Sequence, residues 1–433
     1  MNFADSEIVA SLLQKEGYTV VTDLEQADYI LINTCAIRDN AEQRIRKRLR
    51  ELRAMQQRHP RLRIGILGCM AERLQHQLMV EEENVSFVVG PDAYRKLPAI
   101  LEQVRQGMKA AETELSTTET YADIEPVRLH SNGISAYISI MRGCQNYCAY
   151  CVVPYTRGRE RSRDPETIVG EARHLVAQGY KEVTLLGQNV NSYRYRQGDG
   201  TLVGFPELMR RVAEVSPLLR VRFATSHPKD LSDELLQVMA AYPNICKCIH
   251  LPVQSGSDRM LKLMNRHYDA AWYLDRIAAI RRYMPDCSIT TDVIAGFCSE
   301  TEEEHQMTLE MFRKVRYDYA YMFKFSLRPN TYAEKHLVDD IPDAEKTRRL
   351  EEIIALQGEI ALENNRQEVG KEFEILVEGE SHRSKEQLFG RTSQNKVVVF
   401  DRHDVRPGQY VRVRITDCTA ATLKGELCEI GEK

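Results

Sequence analysis

The run Met141-Arg142-Gly143-Cys144-Gln145-Asn146-Tyr147-Cys148-Ala149-Tyr150-Cys151 decides the fold. Three cysteines spaced C-x3-C-x2-C follow directly on a strand pattern at 136–141. A tight loop of that spacing can turn three thiolates toward one face of an iron–sulfur cube. The fourth iron then has no protein ligand and stays open to a substrate. Gly143 relaxes the backbone at the turn. A zinc site or three unrelated thiols are the alternatives. Zinc usually takes a fourth ligand nearby, and the next Cys or His, His174, stands far along the chain.

Strand patterns recur downstream at 182–186, 220–224, 248–253, 287–294 and 319–325, with helix patterns between them. Six strand–helix units predict a partial (βα)6 barrel of parallel strands. Such barrels place their sites at the carboxyl ends of the strands, where Ser226, His250 and Gln254 stand. A long helix is expected over 342–365. The last 65 residues switch to alternation at 374–377, 396–400 and 410–415, punctuated by glycines. That pattern predicts a small β-barrel of a kind often used to hold RNA. Its charges balance at eleven of each sign, so composition alone does not show RNA binding there.

The first ~110 residues alternate helix and strand patterns, which predicts a doubly wound parallel α/β domain. Helices are expected over 5–16, 39–57 and from about Asp92, and strands at 19–21, 29–32, 62–67 and 85–89. The chain opens on the helix, so a first strand and its loop are expected upstream. Asn33-Thr34-Cys35 and Leu67-Gly68-Cys69 each end a strand. Strand carboxyl ends converge at the crevice of an open α/β sheet, so the two cysteines can meet in space. Two buried thiols are the plainer alternative. The expected boundaries are 1–111 for this domain, 112–131 for an acidic linker, 132–366 for the large barrel and 367–433 for the small one.

Composition bounds the rest. The 433 residues are 43% hydrophobic and 28% charged, which excludes a mostly disordered chain. No run of ~18 apolar residues predicts a membrane span, and no basic-then-apolar amino end predicts export. A cytoplasmic, reducing setting follows, where eleven cysteines read as ligands or buried thiols. Net charge is −4 but uneven. Residues 38–63 carry ten bases and three acids, and residues 81–126 carry four bases and ten acids. The basic helix is thus a candidate face for a phosphate backbone, with a solvated, charge-paired helix as the alternative. Arg157, Arg159, Arg161 and Arg163, at alternate positions after the cysteine loop, are further candidates for phosphate contact, or else a charged surface strand.

The cysteine run resembles that of the radical S-adenosylmethionine (SAM) enzymes. The resemblance implies that Cys144, Cys148 and Cys151 hold a 4Fe-4S cluster whose open iron binds SAM, and that these three carry catalysis. It further implies Tyr150 against adenine, Gly187 and Gln188 at the SAM amine, and Asp292 and Gly296 on a strand beside adenine. Ser226, His250 and Gln254 match less sharply.

More of the chain is similar to the methylthiotransferases. The matching stretches are NTCAIR at 33–38, LGCMAE at 67–72, RGCQNYCAYCVVPYTRGRERSRD at 142–164, VTLLGQNV at 183–190, TSHP at 225–228 and HLPVQSGS at 250–257. The last domain is similar to the TRAM RNA-binding barrel. The wording at 35–38 and 152–163 is most like the MiaB-type branch. This implies addition of a methylthio group to C2 of N(6)-dimethylallyladenosine next to the anticodon, a C–H bond that needs radical chemistry.

In that family one SAM methylates a sulfur on an auxiliary cluster, and a second yields the radical. The auxiliary cluster would rest on Cys35 and Cys69 plus a cysteine absent from this chain, which begins at the Met1-Asn2 pair that follows it in the family. Implied partners are a tRNA anticodon stem-loop, reduced flavodoxin or ferredoxin, and a sulfur donor system, with no membrane. A ribosomal-protein aspartate or another modified tRNA adenosine is the alternative substrate. An RNA-binding iron–sulfur protein without sulfur insertion is the alternative of another class. Cys246, Cys248, Cys287, Cys298, Cys418 and Cys428 read as packing thiols.

Overall fold

The computed structural model describes residues 1–35, 39–129, 131–381 and 383–430. Ala36, Ile37 and Arg38, the end of the first cysteine motif, lie outside the described residues. The amino-terminal sheet is β1 (Tyr29–Thr34), β2 (Arg63–Gly68), β3 (Val85–Val89) and β4 (Ala110–Glu112), all parallel and in chain order. Helices cover both faces. On one, α1 (Asn2–Lys15) supplies Ile8, Val9 and Leu13, which pack with Leu67, Phe87 and Val89. On the other lie α2 (Asp39–Arg58), α3 (Cys69–Leu74) and α4 (His76–Glu81), over Ile64, Ile66, Val85 and Val88. The first face is completed by α5 (Leu97–Arg105). This is how a strand buried on both faces reads as a nearly continuous apolar run, as Arg63–Gly68 does.

Three expectations differ here. Residues 19–21 form no strand; Val20 and Val21 are exposed, and β1 is the edge strand of the sheet. The three-residue strand β4 was not expected. Of the acidic stretch 112–131, the described residues beyond β4 are irregular yet packed. Tyr121 is 2% exposed, its hydroxyl donates to the Pro91 carbonyl, and it accepts from the Tyr94 amide.

The chain continues through β5 (Ser135–Ser139), β6 (Met141–Arg142), α6 (Val153–Arg157) and β7 (Arg161–Ser162), with β6 and β7 antiparallel. Next come α7 (Pro165–Ala177), β8 (Glu182–Leu186), the small hairpin β9 (Arg194–Arg196) and β10 (Leu202–Gly204), and α8 (Phe205–Ala213). They are followed by β11 (Arg220–Ala224), α9 (Asp233–Ala241), β12 (Cys248–His250), α10 (Asp258–Leu263) and α11 (Ala270–Tyr283). The series ends with β13 (Ser288–Ala295), α12 (Glu302–Val315), β14 (Tyr319–Lys324), α13 (Tyr332–His336) and the long α14 (Asp343–Arg366). The six barrel strands form two parallel trios, β5-β8-β11 and β12-β13-β14, and a bridge from Val221 to Ile245 continues the curve. The expected partial barrel is thus present.

The final five strands close a barrel: β15 (Glu372–Ser381), β16 (Ser384–Arg391), β17 (Val397–Asp401), β18 (Tyr410–Cys418) and β19 (Leu423–Ile430). Closure removes the free edges a small sheet would expose. Two of the five, β16 and β19, are too polar to have been read as strands. Arg220 and Arg222 of β11 donate to carbonyls of this barrel, at Arg391 and Glu374, and at Ser393 and Thr392.

The chain divides into two compact units. One comprises 1–130, 139–167 and 328–335, and the other 131–138, 168–327 and 336–433. The cysteine loop therefore belongs with the amino-terminal sheet. No described helix is long and apolar enough to cross a membrane.

Candidate active site

In the first unit, β1 and β2 run in parallel with Thr34 opposite Gly68. The residues that leave the sheet next, side by side, are Cys35 and Cys69. Adjacent strands lie about 4.8 Å apart, so the register itself brings the two cysteines together. The Thr34 hydroxyl donates to the Leu67 carbonyl at 2.6 Å and ties the strand ends. Cys69 is 6% exposed and packs on Val152, which follows the cysteine loop.

The loop of Cys144, Cys148 and Cys151 is closed by the β6–β7 pair. The Cys144 amide donates to the Gly158 carbonyl at 3.1 Å, and the Cys151 amide to the Cys148 carbonyl at 2.9 Å. Gly143 has φ +80°, and a Cβ there would run into the Gly158 and Arg159 carbonyls, so only glycine fits the return crossing. Tyr150 is half-buried in the same loop, and the amide of Ala333 on α13 donates to the Ala149 carbonyl beside it. The three thiols thus share one pinned loop, in the unit that carries Cys35 and Cys69.

Charged groups fix this unit from inside. Arg142 is fully buried and donates to Asp5 at 2.9 Å and to the Pro91 carbonyl at 2.8 Å. Arg157 pairs with Asp5 at 2.6 Å, and its Nε donates to the Cys69 sulfur at 3.1 Å. Arg161 spans both Asp92 oxygens at 2.9 Å. Burial pushes the Asp5 carboxyl up, but Arg142 and Arg157 outweigh it and hold the group below its ordinary value.

These contacts correct the expectation that Arg157, Arg161 and Arg163 meet phosphate. All three are buried, at 2%, 6% and 6%, while Arg159 is exposed. Arg157 lies on α6 rather than in a surface strand, and Arg163 bonds to Thr167 and to the Ser139 carbonyl. The basic helix α2 is likewise partly paired. Arg46 meets Glu81 and Glu82, Arg53 meets Glu83, and Arg58 meets Glu25. The acidic stretch that looked separate in sequence neutralises part of it.

In the second unit the candidate SAM residues stand at the carboxyl ends of the barrel strands. Gly187 and Gln188 follow β8, Ser226 follows β11, His250 ends β12, and Asp292 lies within β13 with Gly296 just beyond. His250 Nδ1 lies 2.9 Å from the Thr290 hydroxyl, and its Nε2 lies 3.4 Å from Asp292. Thr225 (φ +75°) and Gln254 (φ +68°) hold left-handed backbone without being glycine, a conformation that costs about 1–3 kcal/mol and gathers at functional sites.

Six sealed polar atoms at these ends have no hydrogen-bond partner among the described residues: Gln188 Oε1, Asn189 Oδ1, both amide atoms of Asn191, Ser226 Oγ and His227 Nε2. Each such atom costs about 1–3 kcal/mol. Their concentration at the ends of β8 and β11 suits a polar, hydrogen-bonding ligand and so fits SAM. Burial, then Arg266, hold His227 far below its ordinary pKa, so it is neutral. Asn189, Asn191 and His227 were missed as candidates, although they fall in the VTLLGQNV and TSHP stretches or just after them. The thiols of Cys246, Cys248, Cys287 and Cys298 are pushed up by burial, as packing thiols are; Cys418 and Cys428 lie in β18 and β19.

Comparison with known proteins places this geometry. Residues 138–312 match the Radical SAM superfamily, 1–90 the family described as UPF0004, and 366–428 the TRAM domain. Solved structures share the fold at low identity. The radical SAM methyltransferase TsrM from Kitasatospora setae aligns with TM-score 0.58 at 14% identity, over 77% of this chain and 72% of its own. The cobalamin-dependent SAM radical enzyme OxsB aligns with TM-score 0.52 at 12% identity, over 82% of this chain and 53% of its own.

Curated relatives are far nearer. The tRNA-2-methylthio-N(6)-dimethylallyladenosine synthase of Bacteroides fragilis is 58% identical over 98% of this chain and 93% of its own length. That of Phocaeicola vulgatus is 59% identical over the same shares, and that of Amoebophilus asiaticus 55% over 99% and 90%. The chain belongs to the tRNA-2-methylthio-N(6)-dimethylallyladenosine synthase family of radical SAM methylthiotransferases.

Proposed function

We propose that this chain adds a methylthio group to C2 of N(6)-dimethylallyladenosine next to the anticodon of tRNA, with two iron–sulfur sites. One observation carries the reading. A pair of cysteines at adjacent strand ends and the three-cysteine loop belong to one compact unit, with Cys69 against Val152. Sulfur insertion requires a radical source and a sulfur-bearing site, and this unit supplies ligands for both. Cys144, Cys148 and Cys151 hold the SAM-binding cluster, and Cys35 and Cys69 are the ligands this chain gives to the auxiliary one. When bound and reduced, the first cluster supplies the electron that cleaves SAM to the 5′-deoxyadenosyl radical.

The chain's own residues do the rest. Gln188, Ser226, His250, Gln254, Asp292 and Gly296 bind and orient SAM, and neutral His227 accepts or donates a hydrogen bond without adding charge. The base must leave its stack to react, which an anticodon loop permits more cheaply than a duplex. The closed carboxy-terminal barrel, Arg159 and the unpaired face of α2 are the surfaces offered to the RNA backbone. Reduced flavodoxin or ferredoxin delivers electrons, a sulfur donor system supplies sulfur, and the setting is cytoplasmic. The shared name of the relatives favours tRNA over a ribosomal-protein substrate.

The test is turnover of a prenylated anticodon stem-loop with SAM and dithionite, read by mass spectrometry. The parent forms the methylthio base. Cys69→Ser keeps 5′-deoxyadenosine formation and loses the methylthio base. Equal methylthiolation by both proteins contradicts the proposal.

A further inference from the structure

The Arg157 guanidinium is 2% exposed and touches two groups, the Asp5 carboxylate and the Cys69 sulfur. Asp5 alone does not account for it, because Arg142 already pairs with Asp5 at 2.9 Å. The buried charges make the point more sharply. Arg142, Arg157 and Arg161 are opposed by Asp5 and Asp92 in the contacts described, which leaves one cation in excess. Glu72 does not supply the missing charge: burial, then Asp92 and Glu112, push its carboxyl up to about 8, so it is protonated near neutrality. A buried cation needs an anion. The group that Arg157 Nε meets is the Cys69 sulfur, which is anionic when it ligates iron.

The origin of Arg157 matters as much as its target. It stands six residues after Cys151, on α6, within the loop that β6 and β7 close. The segment that holds the three-cysteine site thus also delivers a hydrogen bond to a ligand of the other site.

We propose that Arg157 is a positioning residue for the auxiliary cluster. It fixes the Cys69 sulfur by an N–H···S hydrogen bond and, with its charge, raises the reduction potential of the cluster that sulfur ligates. Reduction adds negative charge to a cluster, so a cation and a hydrogen bond at a ligating sulfur favour the reduced form. This rests on the reading that Cys69 is an iron ligand.

The experiment uses the full chain carrying Cys144→Ala, Cys148→Ala and Cys151→Ala, reconstituted anaerobically, so that only the auxiliary cluster reports. Its midpoint potential and reduced-state electron paramagnetic resonance spectrum are compared with those after adding Arg157→Gln or Arg157→Lys. A further variant, Arg157→Gln with Asp5→Asn, avoids leaving a buried carboxylate with fewer partners. The expected result is a shift of the midpoint to more negative potential in both Gln variants, with changed g-values, and a smaller shift in Arg157→Lys, which keeps the charge. The conservative Arg157→Lys and the charge-matched double variant keep the assignment testable where Arg157→Gln alone folds poorly. A midpoint and spectrum unchanged by Arg157→Gln overturn the assignment while leaving the cluster reading intact. A parent that takes up no iron in this background overturns the cluster reading and the assignment with it.

Discussion

Cys69 begins α3 with a buried guanidinium on its sulfur, and one turn later Glu72 Oε2 lies against Gly90 with no hydrogen-bond partner among the described residues. Glu72 predicts a pH dependence. Its folded pKa is raised by burial, then by Asp92 and Glu112, from 4.5 to about 8. A carboxyl raised on folding keeps its proton in the folded state while the unfolded chain has lost its own. Stability therefore falls as pH climbs above ~4.5 and levels off above ~8. Glu72→Gln removes that slope, worth on the order of a few kcal/mol at pH 8.5. The variant should melt with the parent at pH 5 and above it at pH 8.5 in thermal scans; parallel curves would contradict the account.

The residue scale is also where sequence reading reached least far. The cysteines were legible because spacing and strand position are local properties. The roles of Arg157 and Arg161 were not, because burial depends on Asp5 and Asp92, which only the tertiary fold brings near.

At the scale of elements, strands with apolar cores and clear boundaries were readable. Val85–Val89, Glu182–Leu186 and Arg220–Ala224 fall where the pattern put them. The strands β16 and β19 did not, because a small barrel shows its outer face to water and needs few apolar side chains per strand; Leu388 is the large apolar side chain that β16 buries. The elements also explain how β11 carries two arginines into a buried site. Arg222 bonds to Glu182 at 2.7 Å and to the Thr392 and Ser393 carbonyls, and Arg220 stacks on Tyr410 at 5.0 Å. Truncating Arg222 strands a buried carboxylate and two carbonyls. Arg222→Ala should cost about 3 kcal/mol, by analogy with broken buried pairs. Faster tryptic release of a fragment beginning near residue 367 would report it, and an unchanged digestion rate would count against the docking role.

At the scale of the whole molecule, the chain combines an α/β sheet, a partial barrel of six parallel strands and a closed five-stranded barrel, an architecture the alternation of patterns already implied. What the pattern did not convey is that the three-cysteine loop joins the compact unit of the amino-terminal sheet. Loops following a strand are assigned to that strand's domain by sequence order, whereas buried pairs such as Arg142–Asp5 assign this one by contact. The proposal that a single unit supports two iron sites is the centre of the account. The direct measurement is iron and acid-labile sulfide per chain after anaerobic reconstitution, for the parent and for Cys144→Ala/Cys148→Ala/Cys151→Ala. The account predicts that the variant keeps about half the iron and sulfide of the parent, the share of one of two like clusters. A variant that loses all its iron would contradict it.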